Sequence, residues 1–90
     1  MVKKWEILFT SRAVEDSKKL KSANLHKKTD RLISILYSDP FQNPPQYKKL
    51  IGELAWCYSR RINIQHRLVY QVDSKKHLVK VVGMFGHYEK

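Results

Sequence analysis

Tyr58-Ser59-Arg60-Arg61-Ile62-Asn63-Ile64-Gln65-His66-Arg67-Leu68-Val69-Tyr70 is the stretch from which the fold can be read. Tyr58, Arg60, Ile62 and Ile64 interleave with Ser59, Arg61, Asn63 and Gln65; further on, Leu68, Tyr70 and Val72 interleave with Arg67, Val69 and Gln71. Successive side chains of a strand point to opposite faces, so a period of two marks β-structure. The stretch predicts two antiparallel strands joined by a short turn around Ile64-Gln65. Asp73-Ser74-Lys75-Lys76 predicts the next turn and Leu78–Val82 a further strand. Tyr58, Ile62, Leu68, Tyr70 and Val72 make the apolar face that should meet a covering layer.

That layer lies upstream. Trp5–Thr10 is short and apolar-rich, an opening strand. Thr10 or Ser11 can cap a helix running to about Ser22, with Glu15 and Asp16 in its early turns. Asn24 is a second plausible N-cap, and Leu25, Leu32, Ile33, Ile35 and Leu36 follow at largely helical spacing. Asp39-Pro40 ends that helix, because a residue before proline is pushed out of the helical region. Phe41–Gln46 reads as an irregular connection, with the period of two established from Lys49 onward. The expectation is a single α+β domain over residues 1–90. Two N-terminal helices cover one face of a curved, mainly antiparallel sheet, and the other face is left for work.

Eighteen lysines and arginines against eight acids give a formal charge of +10 on 90 residues. Self-repulsion of that size is tolerable when a polyanion is the working partner, and nucleic acid is the partner favoured over a membrane surface or an acidic protein. Cys57 is the only cysteine, so no internal disulfide can form and a reducing compartment suits the chain. No run of about 18 apolar residues and no apolar segment behind Lys3-Lys4 is present, so neither a membrane span nor a signal peptide is expected. The cytoplasm is the default location. One Cys and four scattered His give no metal-ligand spacing, three glycines build no phosphate loop, and no cofactor is expected.

Arg61 and Arg67 have the same parity on either side of the turn, so two guanidiniums should project together from the uncovered face. That arrangement suits bidentate phosphate binding. Solubility is the plain alternative for arginines on an exposed strand. His87-Tyr88 near the C-terminus offers a proton donor and acceptor; a solvated tail is the plain alternative there. His26 and His77 read as surface residues, and His66, in or next to the turn, as a structural or exposed residue. Cys57, between Trp56 and Tyr58, reads as a buried structural thiol.

Taken together, the helix pair, Asp39-Pro40-Phe41, Tyr58-Ser59-Arg60-Arg61-Ile62, Gln65-His66-Arg67-Leu68-Val69-Tyr70 and His87-Tyr88 resemble the YoeB/Txe toxins of bacterial type II toxin–antitoxin modules, in the RelE/ParE superfamily. The resemblance runs from about Trp5 to Tyr88. It implies a RelE-like fold and metal-independent, ribosome-dependent cleavage of mRNA in the A site, by attack of a ribose 2′-hydroxyl on the adjacent phosphate. It also implies an acidic antitoxin of the Phd/YefM type, a possible homodimer and no membrane. Carried over residue by residue, Arg61 and Arg67 match the phosphate-stabilising arginines, His87 the general acid and Tyr88 the tyrosine that places the substrate. Arg60 and Gln65 are expected to contact RNA.

Three departures stand against the pattern. The position of the family's glutamate base is Lys48; more distant RelE relatives use lysines in this region, so neutral Lys48 or Lys49 is the implied acceptor, with Glu53 a weaker substitute. A lysine among other cations is pushed towards its neutral form. Trp56 stands where the family often has glycine, and a positive φ there would strain the turn. Gln65 replaces a frequent acid. These leave two alternatives open: an impaired homologue that binds RNA without cutting it, and a ParE-like gyrase poison.

Overall fold

The computed structural model describes residues 4–52 and 56–86. The chain runs through β1 (Glu6–Phe9), α1 (Ser11–Ser22), α2 (His26–Ser38), β2 (Tyr47–Lys49), β3 (Cys57–Arg61), β4 (Arg67–Asp73) and β5 (Leu78–Gly83). Thr10 caps α1: its side-chain oxygen accepts from the Ala13 amide at 3.1 Å and its hydroxyl donates to the Val82 carbonyl at 2.8 Å. One residue thus starts the helix and ties it to β5, satisfying an amide the helix itself leaves open.

Asn24 does not cap α2. It sits at φ 62° and closes α1, with its amide on Lys21 and the Leu25 amide on Leu20. This is a Schellman ending, in which asparagine supplies the left-handed residue. Asp16 also departs from expectation. It is buried, and its carboxylate accepts from the Met84 amide at 2.9 Å, pinning the segment after β5 to α1. α2 ends as expected, and the Asp39 side chain accepts from the Phe41 amide beyond the proline.

The five strands lie in the order β1-β5-β4-β3-β2, antiparallel except for the β1–β5 pair. β2 was not separated from the connection by its sequence, because a three-residue strand shows barely one alternation. Both helices cover one face: Ala13, Leu20, Leu32 and Leu36 pack with Ile62, Leu68, Tyr70, Val79 and Val81. Burying one such leucine contributes about 1.5–3 kcal/mol. The apolar parity of the quoted stretch is therefore the helix-facing one, as expected.

The opposite face is not bare. Leu50, Cys57 and Val69 form a second small core with Val82 beside it. That core covers the middle of the sheet and leaves the two ends of the face accessible. The turn between β3 and β4 is also longer than expected. Arg61 pairs with Arg67, and the Ile62 amide bonds His66 across the loop. Asn63 organises the tip by accepting from the Gln65 and His66 amides at 2.9 and 2.7 Å, an Asx arrangement. No helix among the described residues is long and apolar enough to cross a membrane.

Candidate active site

Arg61 and Arg67 face each other across β3 and β4, and residues directly opposite in an antiparallel pair share a face. Their environments differ. Arg61 is exposed, whereas Arg67 is 8% exposed and donates from Nη1 to the Asn63 carbonyl at 3.0 Å. That bond fixes one guanidinium by the loop beside it, while the other can follow a ligand.

Lys48 completes the group. It pairs with Ser59, so it lies one row along the same face from the arginines. Pro45, Gln46, Tyr47, Lys48, Ser59, Arg61 and Arg67 line a cleft of about 570 Å³. Three cationic side chains around one cavity suit a phosphodiester, whose charge grows when a nucleophile adds. Ser59 adds a hydroxyl from the cleft floor. Tyr47 and Gln46 were not singled out from the sequence; Gln46 shares the parity of Lys48, which is the signal that points to it, whereas Tyr47 pairs with Arg60 and has the other parity.

Lys49 is separated from this group. It pairs with Tyr58, has the opposite parity to Lys48 and does not line the cleft. Gln65 is exposed at the tip of the β3–β4 loop and is likewise outside the cleft lining.

Arg60 requires a correction. Its parity is that of Tyr58 and Ile62, and at 1% exposure it points into the protein. Nε donates to the Tyr70 hydroxyl at 3.1 Å, Nη1 to the Pro45 carbonyl, and Nη2 to the Pro40 and Gln42 carbonyls at 3.0 and 2.9 Å. The Tyr70 hydroxyl in turn donates to Pro40 at 2.9 Å. Buried charge is tolerated when every donor finds an acceptor. Arg60 therefore holds the connection leading into β2 and is not an RNA contact. Burial raises the Tyr70 hydroxyl pKa to about 12 against the opposing pull of Arg60.

His66, read from the sequence as structural or exposed, is structural. It is buried, stacks on Phe85 with ring centroids 4.0 Å apart, and accepts at Nδ1 from the Gly86 amide at 2.9 Å. The Gly86 carbonyl accepts from the Arg67 amide at 3.3 Å. The chain is thus tied to the start of β4 immediately before His87. His87, Tyr88 and Glu53 lie outside the described residues. Trp56 is not among the described residues with positive φ, so glycine's freedom is not needed there. Cys57 is buried, as expected.

The sequence profile of the YoeB-like toxin of bacterial type II toxin–antitoxin system matches residues 9–88. The chain belongs to this family. It is 35% identical to the toxin YoeB of Synechocystis over 75 residues, which is 83% of this chain and 78% of that one. The YoeB/ParE toxin from Agrobacterium tumefaciens superposes with a TM-score of 0.82 at 27% identity, over 92% of this chain and 99% of that one. A YoeB solved in a YoeB–YefM complex from Staphylococcus aureus superposes at 0.77 and 33%, over 93% and 98%; a YoeB dimer from the same organism has also been solved. Two helices on a five-stranded mixed sheet is the RelE-like fold that the sequence led us to expect.

Proposed function

We propose that this YoeB-like toxin is a metal-independent endoribonuclease that cuts mRNA in the ribosomal A site by attack of a ribose 2′-hydroxyl on the neighbouring phosphate. The observation that carries the reading is the cleft in which Arg61, Arg67 and Lys48 converge beside Ser59. The reaction needs a proton acceptor for the 2′-hydroxyl, positive charge for the phosphorane and a donor for the departing 5′-oxygen. Arg67, fixed by Asn63, takes one non-bridging oxygen, and Arg61 closes on the other. Lys48 stands where the acceptor of the 2′-proton is needed. His87 gives its proton to the leaving oxygen, and Tyr88 places the base. The hydrogen bonds that hold Gly86, the residue before His87, against β4 and His66 support that assignment.

The partner in the cell is an acidic antitoxin of the Phd/YefM type, which the solved relative's complex supports. An acidic tail laid over the cleft would screen much of the +10 charge. The cytoplasm is where both would act, and a homodimer is a further expectation, checked by sizing the purified chain.

Induction of the chain should stop translation and leave mRNAs cut within codons. Arg67→Ala and His87→Ala should relieve toxicity with an unchanged circular dichroism spectrum. Full toxicity and normal cutting in both variants refute the assignment. A second reading, an RNA binder that no longer cuts, is favoured by lysine at position 48. Lys48→Glu separates the two, since an impaired nuclease gains cleavage and a pure binder does not. Induction that damages DNA while leaving mRNA whole would instead mark a gyrase poison.

A further inference from the structure

Beyond the small core of Leu50, Cys57 and Val69, the face that carries Arg61 and Arg67 opens into a second depression of about 580 Å³, walled by Trp56 with Gln71, Lys75, Leu78 and Lys80. Gln71 pairs with Cys57 on one side and with Lys80 on the other, so these side chains share the cleft's face of the sheet. Trp56 is 83% exposed. Tryptophan is highly buried on average, and this one contributes to neither core.

We infer that this depression is a subsite for a nucleobase a few nucleotides along the strand from the scissile phosphate, with Trp56 as its stacking platform and Lys75 and Lys80 beside the backbone. The inference rests on the reading of the chain as an RNA-cleaving toxin and extends it to the rest of the substrate. Single strands are held by alternating aromatic faces and cations, because every base has a π-face and every step a charge. A base edge also gives the Gln71 amide hydrogen-bonding partners. An apolar peptide segment would instead desolvate Gln71 and two ammonium groups against two aliphatic side chains, Val72 and Leu78. The acid in the wall, Asp73, accepts from the Lys76 amide at 3.1 Å in its own turn.

The separation fits. Four residues divide Arg61 from Cys57 and Arg67 from Gln71, about 13 Å at roughly 3.3 Å per strand residue. Stacked nucleotides of one strand rise about 3.4 Å each, so the subsite lies within about four nucleotides of the cleft.

The test uses the full chain and a single-stranded RNA of about ten nucleotides carrying 2′-O-methyl groups throughout, which cannot be cut by its own hydroxyls. Binding is followed by fluorescence anisotropy. Trp56→Ala should weaken binding at least about fivefold, the low end for losing one stacked base. Trp56→Phe should restore most of the loss. Lys80→Ala should flatten the dependence of affinity on salt, and Trp56→Ala should leave that slope alone. Thermal melts verify folding, which a substitution at so exposed a site should not disturb. Unchanged affinity in Trp56→Ala overturns the subsite. If Arg61→Ala still weakens binding in that case, the cleft stands and only the subsite fails; if neither variant matters, the reading of the whole face as an RNA surface fails with it. Loss of binding to an acidic peptide with RNA affinity intact would assign Trp56 to a protein partner and also overturn the proposal.

Discussion

Substituting Arg60→Ala removes a guanidinium that is 1% exposed and donates to four acceptors: the Tyr70 hydroxyl and the carbonyls of Pro40, Gln42 and Pro45. A hydrogen bond to a charged group contributes about 1.5–3 kcal/mol, and an abandoned buried acceptor costs about 1–3 kcal/mol. Such contributions do not add fully, since water can enter the vacated space. Even so, a loss of at least about 3 kcal/mol follows. For a chain of this length the total stability is about 5–13 kcal/mol, so the midpoint of thermal unfolding should fall by at least about 12 °C. Arg60→Lys should recover little, because an ammonium cannot reproduce the planar fork.

Arg61→Ala is the matched control. Its side chain is exposed in the cleft, so stability should change by no more than about 0.5 kcal/mol while RNA cleavage falls. Urea titrations followed by far-ultraviolet circular dichroism, set beside cleavage of a defined mRNA, read both quantities for both variants. An Arg60→Ala protein as stable as its parent but unable to hold RNA would refute the reasoning, because its guanidinium would then face the substrate.

Three further outcomes are expected. Tyr70 is neutral in the fold with its pKa raised to about 12 by burial, while an unfolded tyrosine ionises near 10; its contribution is therefore complete below about pH 10 and is lost as pH climbs towards 12. A decline of order 1–2 kcal/mol over that window, absent from Tyr70→Phe, checks the sign in urea melts. His66→Ala should lower cleavage more than it lowers stability, by freeing Gly86 from Nδ1, and His66→Asn, which can offer an acceptor nearby, should recover part of the activity. Asp16→Ala strands the buried Met84 amide and should destabilise the fold by about 1–3 kcal/mol, with unchanged melting as the contrary result.

Much of the architecture was legible because alternation and capping are local signals. Thr10 as cap, Asp39-Pro40 as stop and the parity of Tyr58–Val72 each follow from a few neighbours in sequence. Asn24 misled because asparagine favours both helix starts and left-handed endings, and only the bonds from the Asn24 and Leu25 amides decide between them. Leu50 covering Cys57 and Val69 was hidden because it depends on where a loop lands, not on any pattern within it. For the site, parity was enough to pair Arg61 with Arg67 and to divide Lys48 from Lys49 once the register was known. It also placed Arg60 among the inward residues, and the resemblance to the family alone suggested RNA contact there. Local signals left His66 either structural or exposed, because its role depends on Gly86, twenty residues away along the chain.

The two adjacent arginines show how the fold couples its stability to its chemistry. Strand alternation sends Arg60 to the helix side and Arg61 to the cleft, one peptide apart. Arg60 holds Pro40, Gln42 and Pro45, and that connection leads directly into β2, whose Lys48 pairs with Ser59 in the cleft. Lys48 sits on a three-residue edge strand, and edge pairing that short has little independent stability. The inward arginine therefore supports the segment that delivers Lys48 to its place beside the outward one. Loosening it should degrade catalysis even where enough fold remains, so an Arg60 variant rescued for stability elsewhere should still cut RNA poorly. Normal cleavage in such a variant would show that β2 finds its place without the buried guanidinium.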